Sequence, residues 1–596
     1  MHVFKVWSPL ASKVELRISG LLYPMEKVEH GWWQLRVPNA QPGMDYQFVV
    51  DGGDALPDPR SRWQPQGVHG PSRLPDATFA WQDQHWNPPP LGSGIIYELH
   101  VGTFTVEGTF QAVIDRLDSL VDLGITHVEL MPVAEFPGGW GWGYDGVDVY
   151  APSHNYGSPA DLKALVNACH MRGLAVLLDV VYNHFGPDGN YLSKFGPYTT
   201  ERYETPWGNA VNLDGPYSET VRSFFVDNAV MWLRDYHFDG LRLDAVHALI
   251  DSSACHFLEQ LADRVRTLEA KLGRHLVLIA ESDLNDPRIV RPSQIGGYGI
   301  DAQWADDFHH CLHAVLTDER SGYYGDFGGL ARLAKALQQA YVYDGCFSEH
   351  RKRRHGRTPI GIPGYRFVVC TQNHDQVGNR ACGDRLGHLV GQRKAKLAAA
   401  LLFSAPYVPM IFQGEEWNAS TRFQYFTQHE DAELGRAVSE GRRNEFAAFG
   451  WSPENVPDPQ DPGTFERSKL NWDERSQVEH GEMLAWYRSL IRLRQATPDL
   501  CDGDLSEVSV KFNEEESWLL LQRGSTWVAC NFGQNPCFVP APENAAVVLA
   551  SAEGSRTGAD GVKVPAESVL ILSTSSELQD TQSESSDALY RVHTAT

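Results

Sequence analysis

Three carboxylates close three apolar runs: Asp244 in GLRLDAVH, Glu281 in LVLIAES and Asp375 in CTQNHD. Each run reads as a buried strand, and each acid stands where its strand gives way to a loop. Acids gathered at the C-terminal rim of a parallel barrel are what glycosidic-bond chemistry calls for. One must protonate the leaving oxygen while another attacks or stabilises the sugar cation. A single aspartate at a strand end is ordinarily a cap or turn former, but three on one rim leave that reading little room. Arg242 lies two positions before Asp244 and so shares its strand face, where a guanidinium keeps a carboxylate ionised.

Those acids need a frame, and eight strands can be counted. IIYELHVG from Ile95, THVELMPV from Thr126, LAVLLDVVYN from Leu174 and GLRLDAV from Gly240 come first. LVLIAES from Leu276, AQWADDF from Ala302, RFVVCTQNHD from Arg366 and PMIFQGEE from Pro409 follow. Helical segments alternate with them; ETVRSFFVDNAVMWLRDY sets Val221, Phe225, Ala229, Trp232 and Leu233 on one face. The rhythm predicts an α/β fold, a (β/α)8 TIM barrel over residues 89–504. Ahead of it, residues 1–88 run as short alternating segments between turns, which predicts an N-terminal β-sandwich of the glycan-binding kind. Its Trp32, Trp33 and Trp63 read as half-buried core ahead of sugar platforms, and WNPPPLGSG reads as a linker. Residues 505–575 return to short strands and predict a C-terminal antiparallel β domain. The Ser- and acid-rich stretch 576–596 reads as a disordered tail. Two barrel connections exceed plain loops. Residues 184–217, aromatic and Gly-rich, read as an active-site insertion. Residues 309–363 hold a helix and the basic run RKRRHGR, expected as a solvated surface loop.

The 596-residue chain has a formal charge of −25, which argues against nucleic acid and anionic membrane as partners. The 17 Trp suit sugar stacking, although large enzymes also spend Trp on core. Nine Cys are scattered without a CxxC pair, and the first residues alternate like a strand rather than a signal peptide. No apolar run approaches a membrane span. A cytoplasmic protein is the expectation.

The segments DVVYNH, GLRLDAVH, AES and NHD, in that order, resemble the four signature regions of the α-amylase family of glycoside hydrolases. The match spans the barrel. It implies retaining hydrolysis, with Asp244 as nucleophile, Glu281 as general acid and then base, and Asp375 binding sugar hydroxyls and favouring ring distortion. Retention implies carboxyl groups ~5–5.5 Å apart and a Glu281 that keeps its proton near neutrality. By the same resemblance His184 and His374 bind sugar hydroxyls and Tyr144 stacks beneath the sugar. Asp145 orders its loop and Asp179 supports Arg242. Asn183 and His247 occupy positions that often support calcium in amylases. No further oxygen ligands stand out, so neither metal nor cofactor is expected.

Three longer stretches, GWGYDGVDVYAPSHNYGSP, ESDLNDPR and GEEWNASTRFQYFTQHEDAELGRAVSEGRRNEFAAF, resemble one branch of that family. Its members hydrolyse the α-1,4 bond joining a malto-oligosaccharide to a terminal trehalose. Ser282 and Gln428 stand where that branch more often has Asn and Asp. The resemblance implies maltooligosyltrehalose as substrate and, as functional partner, the maltooligosyltrehalose synthase that makes it. Trehalose has no reducing end and bends sharply, so selectivity belongs to the +1 and +2 subsites. Loops after strands six and eight are expected to border them. Asp306, Asp307, His309, Glu415, Glu416, Trp417, Phe423, Gln424, Tyr425 and Phe426 are the candidates there. The alternative is a 1,4-α-glucan branching enzyme, a transferase that must shield its covalent intermediate from water; the GEEW…FQYF stretch weighs against it. A non-catalytic glycan scaffold would have lost one of the three acids.

Overall fold

Strands as apolar as Val277–Ala280 need cover on both faces, which a barrel inside a ring of helices supplies. The computed structural model describes residues 1–447, 452–558 and 561–575, so the expected disordered tail, 576–596, lies outside the described residues. Eight parallel strands close in chain order: Ile96–Leu99, His127–Leu130, Ala175–Val180, Gly240–Leu243, Val277–Ala280, Ala302–Trp304, Phe367–Cys370 and Val408–Phe412. The eighth pairs with the first, Met410 opposite Ile96. Ile96, Leu177, Ile279, Trp304 and Val368 pack inside the ring. Outside it, helix Ser218–Asp235 buries Val221, Phe225, Ala229, Trp232 and Leu233, the face its spacing predicts.

The front unit is antiparallel, with a three-stranded sheet facing a five-stranded one. Trp33 is buried, and Trp32 lies beneath the Arg60 guanidinium at 5.3 Å, so both serve packing. The connector that follows is strapped to the barrel's lower rim. Asp83 accepts from His170 at 2.8 Å and His237 at 2.7 Å, and Trp86 Nε1 donates to Asp239 at 2.9 Å. Trp81 stacks on His237 with centroids 3.7 Å apart. Behind the barrel, strands Val508–Asn513, Trp518–Arg523, Thr526–Asn531, Ser568–Ser573 and Ala546–Ala550 form one sheet. Buried Arg523 pins that sheet to the barrel by donating to the carbonyls of Ser404, Asp499 and Asp502.

Two expectations for the sixth connection are corrected. Residues 306–309 form no loop, because helix Asp306–Thr317 starts two residues after the sixth strand. RKRRHGR is solvated at Lys352, Arg353, Arg354 and Arg357 as expected, but it is not a free loop: Arg353–Gly356 pairs with Asp344–Ser348 as a hairpin, with His355 buried. Among the described residues no helix is long and apolar enough to cross a membrane, and all nine cysteines are unpaired.

Candidate active site

The three acids stand beyond the C-terminal ends of three barrel strands. Asp244 follows the fourth strand and Glu281 the fifth. Asp375 lies in the first turn of the short helix His374–Gly378, which Asn373 caps by accepting from Gln376 N–H. Arg242, fully buried on the fourth strand, ties the group together. Its Nη1 lies 2.7 Å from Asp179 and 2.8 Å from Asp244, and its Nη2 lies 3.1 Å from Glu281. The Trp304 ring covers the guanidinium at 4.1 Å and excludes water from it. One cation thus orders three carboxylates in a low-dielectric floor.

Ala245, next after Asp244, takes a left-handed conformation at φ 37°. That backbone costs a non-glycine residue roughly 1–2 kcal/mol. It turns the Ala245 N–H onto Glu281 Oε2 at 2.6 Å, so the strain fixes one carboxylate oxygen. Burial pushes the Glu281 pKa above the ordinary carboxylate range; Arg242 opposes this and Asp244 adds to it. Burial, reinforced by Glu281 and Asp375, pushes Asp306 up to about 8.

Tyr144, His374 and His184 surround the acids. Tyr144 Oη donates to Asp179 Oδ2 at 2.6 Å and meets His374 Nε2 at 2.8 Å. His374 Nε2 also lies 3.5 Å from Asp375. His184 Nε2 donates to the Tyr144 carbonyl at 3.0 Å, leaving Nδ1 as an acceptor without a protein partner. Its ring stacks on Trp207, centroids 4.8 Å apart. Trp207, 45% exposed on the hairpin Thr199–Thr205/Gly208–Val211, is a site aromatic that the sequence reading passed over. The insertion's richness in aromatics was its only signal. Gly378 matters by being small: a Cβ there would stand 2.1 Å from the Trp142 ring, which packs edge-on against His374.

A cavity of about 610 Å³ opens from Glu281, Asp306 and Asp375. Its far wall carries Tyr323, Tyr324 and His310 after the sixth strand, Arg351 from the hairpin, and Gln376, Asn379 and Arg380 after the seventh. Arg351 is steadied by Asp283 at 3.0 Å and Arg380 by Glu319 at 3.0 Å.

Most of the loop candidates lie away from this cavity. Trp417, Phe423 and Phe426 have no exposed surface and pack as core, and Gln424 is nearly as buried. Glu415 is spent on Thr371, the Phe412 N–H and Tyr487, and Glu416 on Tyr97 at 3.1 Å. Burial pushes both acids up to about 7. Tyr425 is half-buried against Trp142 under Arg442. Asp307 does line the cavity, but it accepts the N–H groups of Val342 and Tyr343 and the Asn285 amide, so it also braces a turn. His309 is buried behind the wall against His310 and His313, and its neighbour His310 lines the cavity instead. Gln428 holds the Gly139 N–H at 2.6 Å. Asp145 accepts from Thr427 at 3.2 Å. The Asn183 amide and His247 Nδ1 are buried without a protein partner, and among the described residues no three acidic, His or Cys side chains group as metal ligands.

Barrel and site define the α-amylase class of glycoside hydrolases. The description "Alpha amylase, catalytic domain" matches residues 75–205, and a domain of unknown function matches 503–571. A crystal structure of a Salmonella typhimurium protein assigned as an alpha amylase superposes with a TM-score of 0.88 at 38% identity, covering 96% of this chain and 97% of that one. The malto-oligosyltrehalose trehalohydrolase of Arthrobacter ramosus is 50% identical over 94% of this chain and 97% of its own. That of Rhizobium sp. (strain M-11) is 46% identical over 96% and 97%. The chain belongs to the malto-oligosyltrehalose trehalohydrolase family. A 1,4-alpha-glucan branching enzyme of Vibrio parahaemolyticus is more distant, 31% identical over 74% of this chain and 63% of its own.

Proposed function

We propose that this protein hydrolyses the α-1,4-glucosidic bond next to the terminal trehalose of maltooligosyltrehalose, with retention, releasing trehalose and a malto-oligosaccharide. The observation that carries the reading is the bounded cavity on the Glu281 side of the acids, polar and aromatic, in a chain of this family. Asp244 attacks the anomeric carbon. Glu281, its Oε2 held by Ala245 and Arg242, keeps its proton on Oε1 and delivers it to the leaving trehalose oxygen. It then takes a proton from water, which releases the glycosyl group. Asp375 holds sugar hydroxyls with His374 beside it at 3.5 Å, and Tyr144 lies beneath the ring. Asp306, Tyr323, Arg351 and Arg380 grip the trehalose in the +1 and +2 subsites. No metal or cofactor takes part in this scheme.

The substrate belongs to a two-step route whose earlier step is a maltooligosyltrehalose synthase, the functional partner. Nine unpaired thiols suit the reducing cytoplasm. Incubating the protein with maltopentaosyl trehalose and, separately, with maltohexaose tests the activity. Free trehalose from the first, with maltohexaose nearly untouched, is the expected outcome. Longer or branched glucans from either would instead favour the transferase.

A further inference from the structure

We propose that Glu98 is a positioning residue for this reaction, holding His374 as a hydrogen-bond donor at both ring nitrogens. The proposal rests on the glycosidase reading of Asp244 and Glu281. Glu98 lies on the first barrel strand, 1% exposed, and spends both oxygens on one residue. Oε2 accepts the His374 backbone N–H at 2.9 Å and Oε1 meets Nδ1 at 2.5 Å. One carboxylate therefore fixes both the start of the helix that bears Asp375 and the rotamer of the ring beside it.

Proton counting settles the state of that ring. The single Tyr144 hydroxyl hydrogen points to Asp179, so the Tyr144 oxygen must accept from His374 Nε2. Nδ1 faces a carboxylate and must also donate. A ring donating at both nitrogens is an imidazolium. The groups facing it agree. Glu98 on the first strand, Asp179 on the third and Asp375 on its own helix are acids, although burial pushes Asp179 up to about 7, and Arg242 on the fourth strand opposes the charge. Glu129, on the second strand opposite Glu98, is buried with neither oxygen bonded, and burial pushes its pKa far up, so it adds no charge. Burial pushes His100, beyond the first strand, down to about 3, so it is neutral. Burial opposes the charge on His374 itself, but Asp375 and Glu98 outweigh it and bring its pKa to about 9. The cation gives its Nε2–H to the Tyr144 oxygen and sets its positive charge 3.5 Å from Asp375.

Glu98→Gln keeps the size and removes the charge. An amide has one accepting oxygen, so it cannot meet the backbone N–H and Nδ1–H from two separate oxygens as the carboxylate does. In the wild-type protein, exchange of the His374 C2 hydrogen, followed by mass spectrometry across pH, is expected to titrate near pH 9; in E98Q the midpoint falls below 7. On whichever α-1,4-glucan substrate turns over, the wild-type/E98Q ratio of kcat is expected to rise about tenfold between pH 5.5 and 8, with KM little changed. In an H374N background E98Q should cost nothing further. A wild-type midpoint below 7, a pH-independent ratio, or full additivity overturns the proposal. The exchange measurement needs no substrate, so it decides even if E98Q does not fold, and separately from the trehalose reading.

Discussion

At the scale of single residues the proposed roles divide by what each substitution leaves behind. Asp244→Ala and Glu281→Gln are expected to lower turnover by several orders of magnitude with an unchanged melting curve; near-full activity in either would remove it from the scheme. Because the Glu281 pKa is raised, its proton is lost on the alkaline side, so kcat/KM should fall there. Gly378→Ala tests packing alone. It drives a methyl group into Trp142 and should cost about 1–3 kcal/mol of stability along with activity, although no polar group changes. Asp244 and Glu281 were legible because each directly follows a strand that the apolar run marks, whereas Asp375, expected at a strand end, stands in the short helix beyond it. Glu415, Trp417 and Phe423 were misplaced because residue type does not say on which side of a rim a loop folds down, and here it folds into core.

At the scale of elements the barrel was readable and its decoration was not. Period and run length locate the starts of the eight strands to within about one residue, since a strand covered on both faces has few alternatives, but the runs overshoot the strand ends, where rim residues continue the apolar pattern. The sixth connection gave no such signal. Its basic run looked solvated, yet hairpin pairing carries Arg351 to the cavity wall and turns His355 inward. Arg351→Ala and Arg380→Ala should each lower kcat/KM for maltopentaosyl trehalose about tenfold to hundredfold, the worth of one charge-assisted hydrogen bond. An aryl α-maltoside, whose leaving group does not fill the cavity, should lose much less. Equal losses on both substrates would move trehalose recognition elsewhere.

At the scale of the molecule, Arg523 adds to the apolar packing that seats the rear sheet, and an acid–histidine strap ties the connector behind the front unit to the barrel. Arg523→Ala strands three carbonyls and should lower Tm by several degrees, read by calorimetry, while turnover at 25 °C stays near wild type. The strap has a pH signature. Burial works against the Asp83 charge, but hydrogen bonds from His170 and His237 pull its pKa down to about 2. A depressed acid adds stability that is full above its unfolded value near 4 and is lost as pH falls towards 2. Proteolysis of the connector should therefore begin in that acidic window. The sequence presented WNPPPLGSG as a linker; its Trp86 and the preceding Asp83 show their partners only once the barrel's lower rim exists to receive them. The strap also changes where the molecule can be cut and spliced. A chimera that exchanges the front sandwich at residue 75 keeps the strap with its barrel. One that exchanges it at residue 90 takes Asp83 and Trp86 away and leaves His170 and Asp239 facing a foreign segment. The unit of inheritance for this enzyme is barrel plus strap, and a recombination library should show its survivors crossing over before the strap rather than after it.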